Sequence, residues 1–233
     1  MFCQTNKIAN KILEQNSSTR FLFVTFTVKN CSAEKLEKTI NIMNKGFKDL
    51  TNKNRKLAIT NKFKSNMLGY IRAMEVTYKQ EEDTYHPHIH CIFAVKAQYF
   101  TKGYIKKSDW QYIWGECCNT EYEPIVKVQT IKNSTSKAVA EVAKYPVKMD
   151  EIANYQDEKK AIQALIVFTK ILKGRRLITF GGVFAKARKL LKLDDIETGD
   201  LINLDDDQKE KFEEIKKVLF MYNVKVGCYI AKN

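Results

Sequence analysis

The stretch Tyr85-His86-Pro87-His88-Ile89-His90-Cys91-Ile92-Phe93-Ala94-Val95 holds every histidine of the chain and ends in an apolar run. Alternate side chains of an extended strand point to the same face, so His88 and His90 share one face and the residues that follow each of them share the other. Their Cα atoms would lie about 7 Å apart, at roughly 3.3 Å per residue, so both imidazoles could reach one metal ion. The spacing therefore predicts a metal site on a strand; histidines that only fill surface or core positions are the alternative.

A second strand is predicted at 69–78, and a short polar turn at 79–84 joins it to the histidine strand. So short a connection favours an antiparallel pair. Glu75 then lies on a neighbouring strand, where its carboxylate either completes the metal site or remains an exposed strand glutamate. His86 is a further candidate ligand. Because Pro87 lacks an N–H, His86 is predicted at the start of the strand or just before it, offset from the strand's face.

Helical and strand patterns fill the rest of the chain. Amphipathic spacing predicts helices at 5–16, after Ser32, after Ser108 (which would cap its helix), at 137–148 and at 157–172. Strands are predicted at 21–28 and 124–131, with Val126 and Val128 on one face, and a last strand pair at 218–231. The Gly181-Gly182 pair is predicted to precede another helix.

Composition narrows the class of protein. The 233 residues suffice for one large domain, or one domain with an appendage, and 44% are hydrophobic. No apolar run reaches the roughly 18 residues of a membrane span, and the N-terminus has no apolar signal core. The six cysteines form no CxxC pair, which argues against a zinc ribbon or a disulfide framework and predicts reduced thiols. A cytoplasmic protein is expected.

Charge is segregated along the chain, whose net charge is +13. Residues 194–214 hold ten acidic residues and two lysines, a net charge of −8 that leaves +21 for the remainder. Residues 43–66 are rich in lysine and arginine, and 173–192 contain seven basic residues and no acid. So much positive charge indicates a polyanionic partner, most simply nucleic acid; solvated basic loops are the alternative.

The predicted helix at 137–148 carries a second group of reactive residues. Glu141 and Tyr145 are four residues apart and Tyr145 and Lys148 three, so the three side chains lie close together on a helix. A tyrosine between a carboxylate and an ammonium group is either a surface tyrosine with solvated charges or, beside a histidine pair in a basic protein, a reactive group.

Together with this helix, His88-Ile89-His90 resembles the histidine–hydrophobe–histidine motif of the HUH endonucleases. Within them, the chain is similar to the plasmid rolling-circle replication initiators. Each motif is short, and the ordered set carries the resemblance. It extends over 21–30, 69–78, 85–95, 110–132, 141–148, 177–190 and 199–207.

The resemblance implies a fold and roles. The fold would be α+β, a ferredoxin- or RRM-like antiparallel sheet flanked by helices, with the histidine strand central and the tyrosine on a covering helix. His88 and His90 match the metal ligands, Tyr145 the nucleophile, and Glu141 the carboxylate that activates water for a terminating cleavage. The family often carries a cysteine-rich segment before the first strand, whereas only Cys3 occurs here, so an N-terminal zinc element is not expected.

The implied activity is metal-dependent nicking and rejoining of DNA at an origin, through a 5′-phosphotyrosine link that leaves a 3′-OH primer. Lys148 would stabilise phosphate charge or lower the tyrosine's pKa, and mixed nitrogen and oxygen ligands suit Mn²⁺ or Mg²⁺. Expected DNA contacts come from five basic residues: Arg72, Lys144, Lys186, Arg188 and Lys189.

The expected partners are single-stranded and origin DNA and, by the resemblance, a host helicase and polymerase in a bacterial cytoplasm, with no membrane. Residues 1–193 would form the nickase domain with its N-terminal helix, and 194–233 an acidic segment and strand region packed on it. Two other functions remain open. One is a non-catalytic RRM-like nucleic-acid-binding module, and the other is an HUH transposase or relaxase with the same chemistry.

Overall fold

A computed structural model describes residues 2–52, 58–131 and 157–193, together with two short strands at 222–223 and 228–229. Its strands are β1 (Arg20–Thr27), β2 (Met67–Lys79), β3 (Thr84–Val95), β4 (Val126–Ile131), β5 (Ile178–Gly182), β6 (Tyr222–Asn223) and β7 (Cys228–Tyr229). Its helices are α1 (Phe2–Gln15), α2 (Ala33–Thr51), α3 (Ala58–Lys64), α4 (Lys107–Cys118), α5 (Glu158–Leu172) and α6 (Val183–Leu190), with a 3₁₀ turn at Ala97–Phe100.

The main sheet is antiparallel throughout, in the order β4-β1-β3-β2-β5. The succession β1–α2–β2–β3–α4–β4 is the split βαβ arrangement of ferredoxin-like folds, and β5 extends the sheet beside β2. The predicted α+β class, the antiparallel β2–β3 hairpin and the central position of the histidine strand are confirmed.

One face of the sheet carries the larger core. Apolar residues at alternate positions of β1 and β3, such as Phe26 and Phe93, are buried against a stripe of α2 that includes Phe47. Phe93 lies with its ring centroid 4.9 Å from that of Phe63 and 6.2 Å from that of Trp110, in an aromatic cluster. Helices α2, α4 and α5 all contribute to this core, so the face is closed.

The opposite face is covered at one end by α1 and α6. Their apolar side chains, among them Ile12 and Phe184, pack on the residues of β1, β2 and β3 that lie where β1 begins and β3 ends: Phe21, Phe23, Ile71, Ala73, Ile92 and Ala94. Farther along the same face, β1, β2 and β3 present polar side chains instead. The histidines lie at this second end.

Most predicted elements are present, with shifted boundaries. Ser32 holds the N-cap position of α2, although its hydroxyl donates to the Glu34 carboxylate. The prediction that Ser108 caps a helix is wrong, because α4 begins at Lys107 and its N-cap is Lys106. The backbone N–H of Lys106 donates a hydrogen bond to the Asp109 carboxylate. A strand pair lies within 218–231, as β6 and β7.

Two predicted segments, the helix at 137–148 and the acidic segment 194–214, lie outside the described residues. In the described part of the chain, no helix is both long and apolar enough to cross a membrane.

Candidate metal centre

Three side chains from β2 and β3 converge on the polar end of the sheet. The hairpin register places Glu75 directly opposite His88, and His90 lies two residues further along the same face. Glu75 Oε2 is 2.8 Å from His88 Nε2 and 2.6 Å from His90 Nε2. Potential ligand atoms of the three residues all lie within 4.8 Å of one another, so the prediction that Glu75 joins the histidine pair agrees with the geometry.

Each imidazole is held through its second ring nitrogen. His88 Nδ1 lies 3.2 Å from the backbone oxygen of His86, and His90 Nδ1 lies 3.2 Å from Thr25 Oγ1. The ring of Phe23 stacks on His90, with centroids 5.7 Å apart and planes 7° apart. Such contacts at the remote nitrogen are typical of metal-binding histidines, because they leave Nε2 directed at the ion.

Charge in the cluster favours a cation. Burial alone would raise the pKa of Glu75, which is 3% exposed, but hydrogen bonds from His88 and His90 outweigh it and hold the pKa well below its usual value. Glu75 is therefore ionised at neutral pH, in a group of two imidazole nitrogens and one carboxylate oxygen. Those donors fit a divalent ion, and three protein ligands leave positions open for substrate or water.

His86 lies on the same face as the cluster but is turned to another partner. It is inside β3, with its ring centroid 5.4 Å from that of His88, so Pro87 does not offset it from the strand's face as predicted. Its Nδ1 is 2.6 Å from Asn30 Oδ1. Burial, followed by the charges of His88 and Lys79, lowers the pKa of His86. Among the described residues, the group that could hold an ion comprises Glu75, His88 and His90, without His86.

Of the cations predicted to contact DNA, Arg72 lies on one face of the sheet and those of α6 lie on the other. Arg72 is 8% exposed and lies on the sheet face opposite Glu75, where its Nε donates to Thr179 Oγ1 and its guanidinium lies 4.9 Å from the Phe47 ring centroid. This placement does not favour contact with DNA at the metal centre. Burial lowers the pKa of Arg72, as expected for a cation held in the core.

Helix α6 instead carries cations on the metal-centre face of the sheet. Lys186 and Lys189 are exposed, and the guanidinium of Arg188 lies 4.9 Å from the Phe180 ring centroid. At the other edge, the exposed Lys127 on β4 is paired with Thr25. Cations therefore occur toward both edges of the sheet face that carries the cluster.

The predicted nucleophile and its neighbours belong to the helix predicted at 137–148. Tyr145, Glu141, Lys148 and Lys144 lie outside the described residues. Thr25, Phe23 and Asn30 were not identified from the sequence. The one available signal was that Thr25 and Thr27 interrupt an otherwise apolar strand at alternate positions, which marks a polar patch on one face.

The fold and the cluster together define a class: a ferredoxin-like protein that presents two histidines and a carboxylate on the open end of a sheet. The sequence also matches the family model described as replication protein, over residues 2–230. The chain belongs to this replication protein family.

Individual relatives agree with the family assignment. A replication protein of Staphylococcus aureus is 34% identical over 238 residues, which cover 98% of this chain and 97% of that protein. A protein called Protein rep from Streptococcus pneumoniae serotype 2 is 32% identical over 236 residues, covering 99% of this chain and 70% of that protein. Another Protein rep, from Bacillus amyloliquefaciens, is 32% identical over 245 residues, covering 96% and 70%. No solved structure shows a significant match.

Proposed function

We propose that this chain is a plasmid rolling-circle replication initiator. In this proposal it nicks one strand at the origin as a metal-dependent, site-specific DNA endonuclease of the HUH type, and it also rejoins strands. The observation that carries the proposal is the convergence of Glu75, His88 and His90 on one face, at hydrogen-bonding distances, in a chain of the replication protein family. Neither finding alone would identify a nuclease, since metal clusters also have structural roles and replication proteins also act without cleavage.

In the proposed reaction, His88, His90 and Glu75 would hold a divalent ion, Mn²⁺ or Mg²⁺, which would act as a Lewis acid on the scissile phosphate and offset the charge that develops there. The phenolic oxygen of Tyr145 attacks phosphorus as its proton leaves, the bond from phosphorus to the 3′ oxygen breaks, and that oxygen takes up a proton. The products are a 5′-phosphotyrosine and a 3′-OH primer.

Two more residues of the predicted helix have roles in the proposed reaction. Lys148 stabilises the phosphate charge or lowers the pKa of Tyr145, which is otherwise a weak nucleophile at neutral pH because tyrosine ordinarily ionises near 10. Glu141 acts as the general base for water in a second, terminating cleavage. The covalent link conserves the energy of the broken bond, so the same site can also rejoin strands.

Single-stranded DNA is the proposed substrate, and origin DNA the proposed binding partner. The net charge of +21 outside the acidic segment supplies affinity without sequence specificity, and the cations of α6 lie on the face that carries the metal centre. A host helicase and polymerase are further proposed partners, from the family resemblance. We also propose that 194–233 pack on the nickase domain formed by 1–193.

The test is covalent capture. The protein is incubated with single-stranded origin DNA and Mn²⁺, and a denaturing gel is examined for a protein–DNA adduct. Tyr145→Phe should abolish the adduct. Tyr155→Phe is a matched control, because Tyr155 also follows a glutamate by four residues but has Glu158 in place of the lysine. Glu141→Ala should still form the adduct and fail to release it by hydrolysis.

Each outcome of the capture experiment separates the candidates. DNA binding without any adduct, with folded protein and Mn²⁺ present, would favour the non-catalytic RRM-like module. An adduct formed on transposon ends or on a transfer origin, and not on a replication origin, would favour a transposase or relaxase. Mass spectrometry that locates the DNA on Tyr155 would overturn the assignment of the nucleophile.

A further inference from the structure

The two histidines of the metal centre are supported by different kinds of group. His88 Nδ1 faces the backbone oxygen of His86, which can only accept a hydrogen bond. His90 Nδ1 faces the hydroxyl of Thr25, which can either accept or donate. When an ion is held at Nε2 of His88, that carbonyl accepts the Nδ1–H, so the backbone itself supports the tautomer that metal binding requires. A hydroxyl can follow either tautomer, so the behaviour of His90 depends on a replaceable side chain.

The position of Thr25 follows from the sheet. The register of β1 with β3 pairs Thr25 directly with His90, although 65 residues separate them in the chain. Threonine is branched at Cβ, which restricts its χ1 rotamers and so restrains the direction of the hydroxyl. The stacked ring of Phe23 restrains the plane of the imidazole but offers no hydrogen bond to Nδ1. Thr25 is thus the hydrogen-bonding contact at Nδ1 of His90, and its hydroxyl can accept the Nδ1–H when Nε2 holds an ion.

We propose that Thr25 is a positioning residue for metal binding at Glu75, His88 and His90. When an ion is held at Nε2 of His90, the Thr25 hydroxyl accepts the Nδ1–H and keeps the ring in the competent tautomer. Without an ion, Nε2–H donates to Glu75 at 2.6 Å, and the same hydroxyl donates to Nδ1. This inference rests on the metal site of the proposed function and adds to it a residue that does not touch the ion.

The test compares the Mn²⁺ affinities of the wild type and a set of variants. Binding of Mn²⁺ is followed by the electron paramagnetic resonance signal of the free ion. Thr25→Val keeps the branched shape without the hydroxyl and should weaken Mn²⁺ binding about 10- to 100-fold, the usual effect of losing a contact to a metal-binding histidine. Thr25→Ser keeps the hydroxyl and should bind nearly as well as the wild type.

Thr27→Val is the matched control. Thr27 lies two residues along on the same face, directly opposite His88, but its hydroxyl donates to the backbone oxygen of Ile125, 2.9 Å away, instead of to a histidine nitrogen. Its Mn²⁺ affinity should equal that of the wild type. Equal weakening in Thr27→Val and Thr25→Val would show a general effect of the polar patch and overturn the role of Thr25.

A second readout needs no metal. In metal-free protein, ¹⁵N–¹H correlation spectra of the histidine rings report which nitrogen carries the proton. Thr25→Val should change the tautomer populations of His90 and leave those of His88 as they are. Unchanged His90 tautomers together with unchanged Mn²⁺ affinity would overturn the inference. If the valine variant does not fold, Thr25→Ala provides the same comparison with a smaller side chain.

His90→Ala distinguishes this inference from the proposed metal site itself. If His90→Ala loses Mn²⁺ binding and Thr25→Val does not, the metal site stands and only the role of Thr25 fails. If His90→Ala binds Mn²⁺ as tightly as the wild type, the ion binds elsewhere and both proposals fail. Full binding by Thr25→Ser beside weak binding by Thr25→Val supports the positioning role.

Discussion

Replacing Glu75 by glutamine should uncouple the stability of this protein from divalent metal. The carboxylate oxygen that lies 2.8 Å and 2.6 Å from the two histidine nitrogens is the negatively charged donor of the cluster. Glutamine keeps the size of the side chain and one acceptor oxygen but removes the charge. We expect the fold to survive and the affinity for Mn²⁺ to fall, since the remaining donors are neutral.

The magnitude follows from binding linkage. An ion that binds only the folded state at 100 times its Kd stabilises that state by about 2.7 kcal/mol. For a chain of this size each kcal/mol raises Tm by roughly 2–4 °C, so the wild type should gain about 5–11 °C. At the same Mn²⁺ concentration the Glu75→Gln protein should gain little or nothing.

Thermal unfolding followed by intrinsic fluorescence, in EDTA and across a Mn²⁺ series, measures the effect directly. The two buried tryptophans, Trp110 and Trp114, report on the main core. Glu116→Gln is the control, because Glu116 is exposed on α4, which packs on the opposite face of the sheet. It should show the same Mn²⁺-dependent gain in Tm as the wild type.

An equal Mn²⁺-dependent gain in Tm for Glu75→Gln and the wild type would refute the assignment of Glu75 as a ligand. If His88→Ala and His90→Ala also kept the gain, the ion would bind elsewhere on the chain, and the geometry of the cluster would have another explanation.

Three other predictions concern DNA, the third histidine and pH. The logarithm of the affinity for single-stranded DNA should fall linearly with the logarithm of the salt concentration, with a slope of about −0.7 per phosphate contacted. Neutral replacements of cations in α6 should flatten that slope more than neutral replacements in α2. Equal slopes for the two sets would exclude α6 from the DNA surface. The two sets are Lys186, Arg188 and Lys189 in α6, and Lys35, Lys38 and Lys45 in α2. His86→Ala should reduce nicking less than His88→Ala, because its Nδ1 is bonded to Asn30, and equal losses would add His86 to the ligand set. In EDTA, Glu75 should stabilise the fold above about pH 4.5, because the pKa of its carboxyl is lowered on folding. Chemical denaturation should therefore show that the difference in the free energy of unfolding between the wild type and Glu75→Gln shrinks as the pH falls below that value. A difference that does not depend on pH would contradict this.

Much of the candidate site follows from local sequence. The alternation of His88 and His90 is a property of any extended backbone, and the short polar turn before them determines which strand pairs with theirs. That was enough to bring Glu75 to the histidines. The prediction for the cap of α4 is wrong because Ser108 is a favourable capping residue in isolation, whereas the N-cap lies two residues earlier, at Lys106.

The sequence by itself determined the strand that bears the metal centre, its neighbour, and the basic character of the chain, because periodicity, turn length and charge are local quantities. Only the tertiary structure decided that Thr25 and Phe23 flank His90, that His86 turns to Asn30, and that Arg72 is buried on the far face. Those outcomes depend on which strands become neighbours and in what register. Strand order and register are set by the packing of the whole sheet against its helices, over separations that no local pattern encodes.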